Sequence, residues 1–247
     1  MSASVNLILA AGGGSAVIPH FKSSGTCVTS TKALFCWSWV SSHWGPLLEP
    51  GLIQHLELTA IAVAVGFVIA LVAALVAHYN HWFAKGFLGL SSLLYTIPTL
   101  AFFEMVAPLT GLGKLTIELG LVGYTLLVLF RNTLTGLQSV SPAIISSARG
   151  MGMTERQILL RVKLRIAVPS IVAGVRVATV TTVGLATVAA YITPLGLGQL
   201  IFDGIYSTFK TELIAAGGLA ILLALAFDAV LVLAQRIVAP WASLTAR

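Results

Sequence analysis

The stretch GLGKLT, Gly111 to Thr116, comes nearest to phosphate chemistry in this chain. A phosphate loop needs a glycine, four residues, Gly-Lys and then Ser or Thr, because its backbone amides must wrap the anion. Here Pro108 stands at the first place and Leu115 at the last. The stretch reads instead as a turn between two helices. The histidines, His20, His43, His55, His78 and His81, show no ligand spacing, and neither His-Glu-x-x-His nor Gly-x-Ser-x-Gly occurs. Cys27 and Cys36 lack Cys-x-x-Cys spacing; they read as small apolar residues, with a disulfide left open. No metal site, catalytic group or cofactor is therefore expected in this chain. What remains is charge in apolar surroundings: Arg176 and Asp228. Ionisable groups inside apolar spans are functional suspects by default.

The elements that position these residues follow from composition. Of 247 residues, 9% are charged and 57% hydrophobic, with a mean hydropathy of +0.98. A soluble domain carries about 25% charge. Five apolar runs reach the ~20 residues that cross a bilayer as helix: Leu58–Ala77, Phe87–Ala107, Leu115–Leu134, Ala167–Ala190 and Leu213–Gln235. They do not alternate, so they are helices rather than barrel strands. The expected fold is an all-α integral membrane bundle of about five spans. Residues 1–51 form an N-terminal extension, 52–238 the membrane domain and 239–247 a cytoplasmic tail. The run CWSWVSSHWGPLL in the extension reads as an interfacial segment, because tryptophan favours the membrane–water boundary; a sixth span is the other option.

Orientation follows from the basic residues. Lys85, Arg131, Arg149, Arg156, Arg161, Lys163, Arg165, Arg236 and Arg247 fall on one side; Lys22, Lys32, Lys114 and Lys210 fall on the other. Nine against four puts the first side in the cytoplasm. The net charge of +6 thus reflects topology, and no nucleic-acid partner is expected. Arg176 and Asp228 sit at equal depth, roughly 12–14 Å from the cytoplasmic boundary at about 1.5 Å per residue. They are expected to pair, directly or through water; separate snorkelling is the alternative.

The densest polar segment is a cytoplasmic loop, residues 138–166. Ser141 and Pro142 start a short helix there. Gly150–Met151–Gly152 breaks it, and Thr154 with Gln157 restarts the chain through a capping box. Ile158, Leu159, Val162 and Ile166 form an apolar face. Two short surface helices joined at a glycine elbow are expected. Anionic lipid could hold such a helix, but the pliable Met151 and Met153 point to a protein partner. Elsewhere, Pro98 should kink the second span. Tyr95, Thr96, Pro98 and Tyr191 are candidates for a translocation path, with helix packing as the plainer role. Leu195–Gly198 reads as an outer re-entrant turn.

The loop SSARGMGMTERQILLRVKLRIAVPSIVAGVR resembles the coupling-loop signature of ABC importer permeases: Glu-Ala-Ala, three residues, Gly, nine residues, then Ile-x-Leu-Pro. Ser146, Ser147 and Ala148 take the first places, Gly152 the glycine, and Val162 and Leu164 the later apolar places. Serines replace the Glu and the first Ala, and Arg165 replaces the Pro; Pro169 remains. The stretches QHLELTAIAVAVGFVIAL, YTIPTLAFFEM, GLGKL and LATVAAYITPLGLGQLIFDGI resemble the osmoprotectant branch, which carries glycine betaine, choline, carnitine or proline betaine. The likeness spans about residues 52–238 and implies a MetI-like permease bundle in the cytoplasmic membrane.

The resemblance further implies that Ala148, Arg149, Gly150, Met151, Gly152, Met153, Thr154 and Glu155 couple the bundle to ATPase subunits. Two ATP-binding subunits, a second permease copy or a paralogue, and an extracytoplasmic substrate-binding protein would complete the assembly in the lipid bilayer. A stand-alone secondary transporter or channel is the alternative reading, and another small amino-acid-like or cationic solute the alternative cargo. An intramembrane enzyme lacks its catalytic constellation.

Overall fold

The computed structural model describes residues 34–243. Those residues form helices α1 (Trp37–His43), α2 (Glu49–Tyr79), α3 (His81–Thr96), α4 (Thr99–Thr110), α5 (Lys114–Gln138), α6 (Pro142–Gly150), α7 (Glu155–Gln157), α8 (Leu164–Ala189), α9 (Gly196–Tyr206) and α10 (Lys210–Val238). π-helical turns, Trp44–Leu48 and Ile158–Lys163, weld α1 to α2 and α7 to α8. No strand occurs among the described residues.

Four helical runs are long and apolar enough to cross a membrane, and the bent pair α3–α4 makes a fifth if counted as one span. The first run starts at Trp37 and continues to Tyr79, so the tryptophan-rich segment is the N-terminal extension of the first span. It is not a separate sixth crossing. Cys27 and residues 1–33 lie outside the described residues. The second expected span is broken rather than kinked. Its two halves meet at 103°, because Pro98 has no N–H for the Leu94 carbonyl and Ile97 takes an extended conformation.

Local caps explain the turns. Asn80 leaves α2 in an extended conformation, and its Oδ1 accepts from the amides of Trp82 and Phe83 at 3.0 and 3.1 Å, starting α3. Gly111, at φ 81°, closes α4. Leu195–Gly198, expected as an outer re-entrant turn, is helical from Gly196 onward. It enters the eleven-residue helix α9, because Gly196 and Gly198 let that helix press against α2 and α8.

At the centre, α5 packs between α2 and α8. Small residues make this possible: Ala70, Ala73, Ala74 and Ala77 of α2 meet Leu129, Phe130 and Leu137 of α5 and Ala167, Ile171 and Ala178 of α8. A Cβ at Gly66 would lie 1.9 Å from Thr125 Oγ1, and one at Gly174 would lie 2.6 Å from Asn132 Cβ. Many large apolar residues also point outward. Val65, Val68, Ile69 and Val72 of α2 and Ile221, Leu222, Leu225 and Val230 of α10 are exposed. That inside-out pattern suits hydrocarbon, where lipid replaces water around the bundle.

Candidate functional site

The elbow is a Schellman turn. Ser141 starts α6 by accepting from the Ile144 amide at 3.4 Å. At the far end, the Met153 amide bonds the Ala148 carbonyl at 3.1 Å, and the Gly152 amide bonds the Arg149 carbonyl at 2.9 Å. This pairing places Gly152 at φ 82°, a left-handed conformation that glycine adopts without a Cβ clash. Thr154 then accepts from the Gln157 amide while its own amide donates to Gln157 Oε1, the expected capping box.

An ion pair spans the elbow: Arg149 Nε donates to Glu155 Oε1 at 2.6 Å. Through that bond the Glu155 carboxylate raises the Arg149 guanidinium above its ordinary value. Met151, at the tip, is 75% exposed, and Met153 is half-buried. Ala148, Ile158 and Leu159 are buried beneath.

Glycine propensity and caps made the elbow legible, but the chain beyond it differs from expectation. The second arm does not end at the membrane surface as a separate short helix. Glu155 to Ala189 is one helical run of 35 residues, with Pro169 inside it. The wide turn Ile158–Lys163 joins the arm to the span without a break. Leu159 enters the central core beside Leu137 and Ala167, and Lys163 Nζ donates to His78 Nε2 at 3.1 Å. The elbow is therefore continuous with the N-terminal end of α8 and tied to α2 and α5.

At the break between α3 and α4 lies a cavity of about 540 Å³. Tyr95, Thr96 and Pro98 line it together with Tyr124, Thr181 and Gly184. The Tyr124 hydroxyl donates to the Ile97 carbonyl, and its ring stands 5.9 Å from that of Tyr95, tilted by 61°. Sequence reading missed Tyr124; the signal available was a tyrosine amid the apolar run of α5, whose hydroxyl must find a partner in a span. Tyr191 is placed elsewhere. It lies past the end of α8, 58% exposed, with its ring 5.8 Å from that of Phe202.

Arg176 and Asp228 come together across α8 and α10, Nε to Oδ1 at 2.8 Å and Nη2 to Oδ2 at 3.0 Å. This two-pronged geometry is the one guanidinium favours with carboxylate. His55, by contrast, is buried in a packing role, its Nε2 donating to the Val183 carbonyl at 3.1 Å.

A lipid-facing helical bundle, an elbow projecting from one end and a cavity at a broken span are features that suit a membrane permease. The comparisons agree. The chain belongs to the family described as binding-protein-dependent transport system inner membrane component, whose model matches residues 47–244. It is 34% identical over 188 residues to the choline transport system permease protein OpuBB of Bacillus subtilis, covering 76% of this chain and 86% of that one. It is 36% identical over 192 residues to the osmoprotectant import permease protein OsmW of Salmonella typhimurium, covering 76% and 89%. Among solved structures, an inward-facing form of the MetNI methionine ABC transporter matches with a TM-score of 0.66 at 20% identity, covering 74% of this chain and 92% of that one. This likeness bears on the fold. The protein is a multi-pass inner-membrane ABC permease, the transport subunit of a binding-protein-dependent system.

Proposed function

We propose that this chain forms half of the pathway by which an ATP-driven importer admits a small quaternary-ammonium osmoprotectant. An extracytoplasmic binding protein delivers the solute. ATP is hydrolysed in two partner subunits, and a second copy of this chain or a paralogue completes the pore. The observation that carries this reading is the elbow itself. Ala148–Glu155 presents an exposed methionine, Met151, in the turn that leads into the continuous helical run Glu155–Ala189. A partner that closes on ATP and grips this tip would move α8 directly, so nucleotide state would bias a two-state bundle between outward and inward access.

The substrate class rests on the names of the relatives and on the cavity chemistry. The choline permease OpuBB and the osmoprotectant permease OsmW cover most of the matched length. The cavity at the α3–α4 break offers two tyrosine rings and no charged side chain. Aromatic rings attract a quaternary ammonium. The last carbonyls of α3, left without helical donors, add partial negative charge. Neither holds a cation so tightly that it cannot leave. Tyr95, Thr96, Pro98 and Tyr124 are the residues we assign to the path, and Arg176 with Asp228 ties α8 to α10. Uptake of radiolabelled choline and glycine betaine by the full complex in proteoliposomes tests the proposal. ATP-dependent accumulation of either supports it, and accumulation of neither overturns the substrate class.

A further inference from the structure

A second cavity, of about 430 Å³, opens where α8 begins, lined by Arg161, Val162, Arg165, Ile166 and Trp241. None of these residues belongs to the elbow tip or to the cavity at the broken span. Arg161 and Arg165 stand one helical turn apart and are exposed. Trp241 comes from the short 3-10 turn Pro240–Ser243 that follows α10. Among the described residues, the ion pairs are Lys114–Glu57, Arg149–Glu155 and Arg176–Asp228, so neither of these two arginines has a carboxylate partner.

Depth narrows the choice of ligand. Arg165 lies eleven residues before Arg176 on the same helix, about 16 Å nearer the cytoplasm at 1.5 Å per residue. That places Arg165 at the headgroup level of the inner leaflet, where Trp241 also belongs, with Arg161 one turn farther out. The cavity floor, Val162 and Ile166, is apolar. The adjoining last turn of α10 exposes Ile237 and Val238. Two unpaired guanidiniums above an apolar floor suit a molecule that is anionic at one end and hydrocarbon at the other.

We infer that Arg161, Arg165 and Trp241 form a binding site for the phosphodiester headgroup of an anionic phospholipid, beside the elbow. The guanidinium forks take the phosphate oxygens, the indole packs on the glycerol region, and the acyl chains run along Val162, Ile166 and the end of α10. Basic pockets between spans on the cytoplasmic side recognise such headgroups. Because Arg161 lies in the turn that welds the elbow to α8, an occupied site stiffens the lever between them.

The test uses the permease purified with its ATPase partner and exchanged into nanodiscs of phosphatidylcholine with graded phosphatidylglycerol. Native mass spectrometry reads the anionic lipid retained on release. Wild type should retain phosphatidylglycerol. Arg161→Gln/Arg165→Gln should weaken retention about thirtyfold, five- to sixfold per arginine. Trp241→Leu should weaken it less, and Arg161→Lys/Arg165→Lys should keep part of it. Equal melting curves in pure phosphatidylcholine establish that the variants are folded. Unchanged retention in the double glutamine variant overturns the site. So does equal stabilisation of wild type by inorganic phosphate alone, which would mean a free-anion site. Loss of the ATPase from the double variant also overturns it, because the surface would then belong to that partner.

Discussion

Arg176 of α8 and Asp228 of α10 are joined by two parallel hydrogen bonds, at 2.8 and 3.0 Å, across 52 residues of sequence. Both side chains are about one-third exposed on the isolated bundle, at a depth in the span where ionisable groups are costly to leave unpaired. Removing one partner strands the other charge where hydration is poor. Asp228→Ala should lower both the yield and the melting temperature of the purified complex. The exchange Arg176→Asp/Asp228→Arg should recover much of the loss. Thermal unfolding in a neutral detergent checks this; an exchange variant as unstable as the single variant would mean that local surroundings, not the pair, set the effect.

The elbow should respond to backbone conformation rather than to side-chain bulk. A Cβ at Gly152 meets nothing within 4 Å, yet its φ of 82° is costly for any branched residue. Gly152→Val should strain the turn by about 1–2 kcal/mol. It should lower substrate-stimulated ATP hydrolysis by the complex, while Gly152→Asn, which tolerates the left-handed region, should do so less. Gly150 is helical and also faces open space, so Gly150→Ala adds no backbone strain and should lower the same assay less than Gly152→Val.

The packing of α2 on α5 sets a different kind of limit. At Gly66 an added methyl would overlap Thr125 Oγ1 at 1.9 Å. Gly66→Ala should destabilise the bundle by about 1–3 kcal/mol. Thr125→Ala removes the oxygen and should restore part of the loss in the double variant. Melting curves of the four proteins give the coupling directly; additive losses would place the clash elsewhere.

At the broken span, ring and hydroxyl should separate. Tyr95→Leu removes a ring from the cavity wall and should raise the apparent KM for choline about tenfold if the ring supplies a desolvated cation–π contact. Tyr95→Phe should keep most of the affinity. Tyr124→Phe keeps its ring but frees the Ile97 carbonyl, costing about 1 kcal/mol of stability. Concentration-dependent uptake in proteoliposomes, with binding-protein affinity measured alongside, distinguishes these effects. Equal KM for all three variants would remove the cavity from the path.

The features that depend on near neighbours in the chain could be read without a structure. Apolar runs of span length, the Ser141 and Thr154 caps and the glycine elbow are local, because helix ends are settled by groups three or four residues away. The same local logic located Pro98 as the weak point of the second span. Its consequence was decided elsewhere. A bend of 103° needs the Ile97 carbonyl to be satisfied from outside, and that partner, Tyr124, lies 27 residues on. Sequence depth allowed Arg176 and Asp228 to meet, but only the rotation of α8 against α10 turned the two side chains toward each other. The same packing joined the elbow to α8 as one lever and set Arg161 beside Trp241. Spacing along a helix determines height in the membrane; azimuth follows from how neighbouring helices press together, and this sequence settles that only through contacts between residues far apart in the chain.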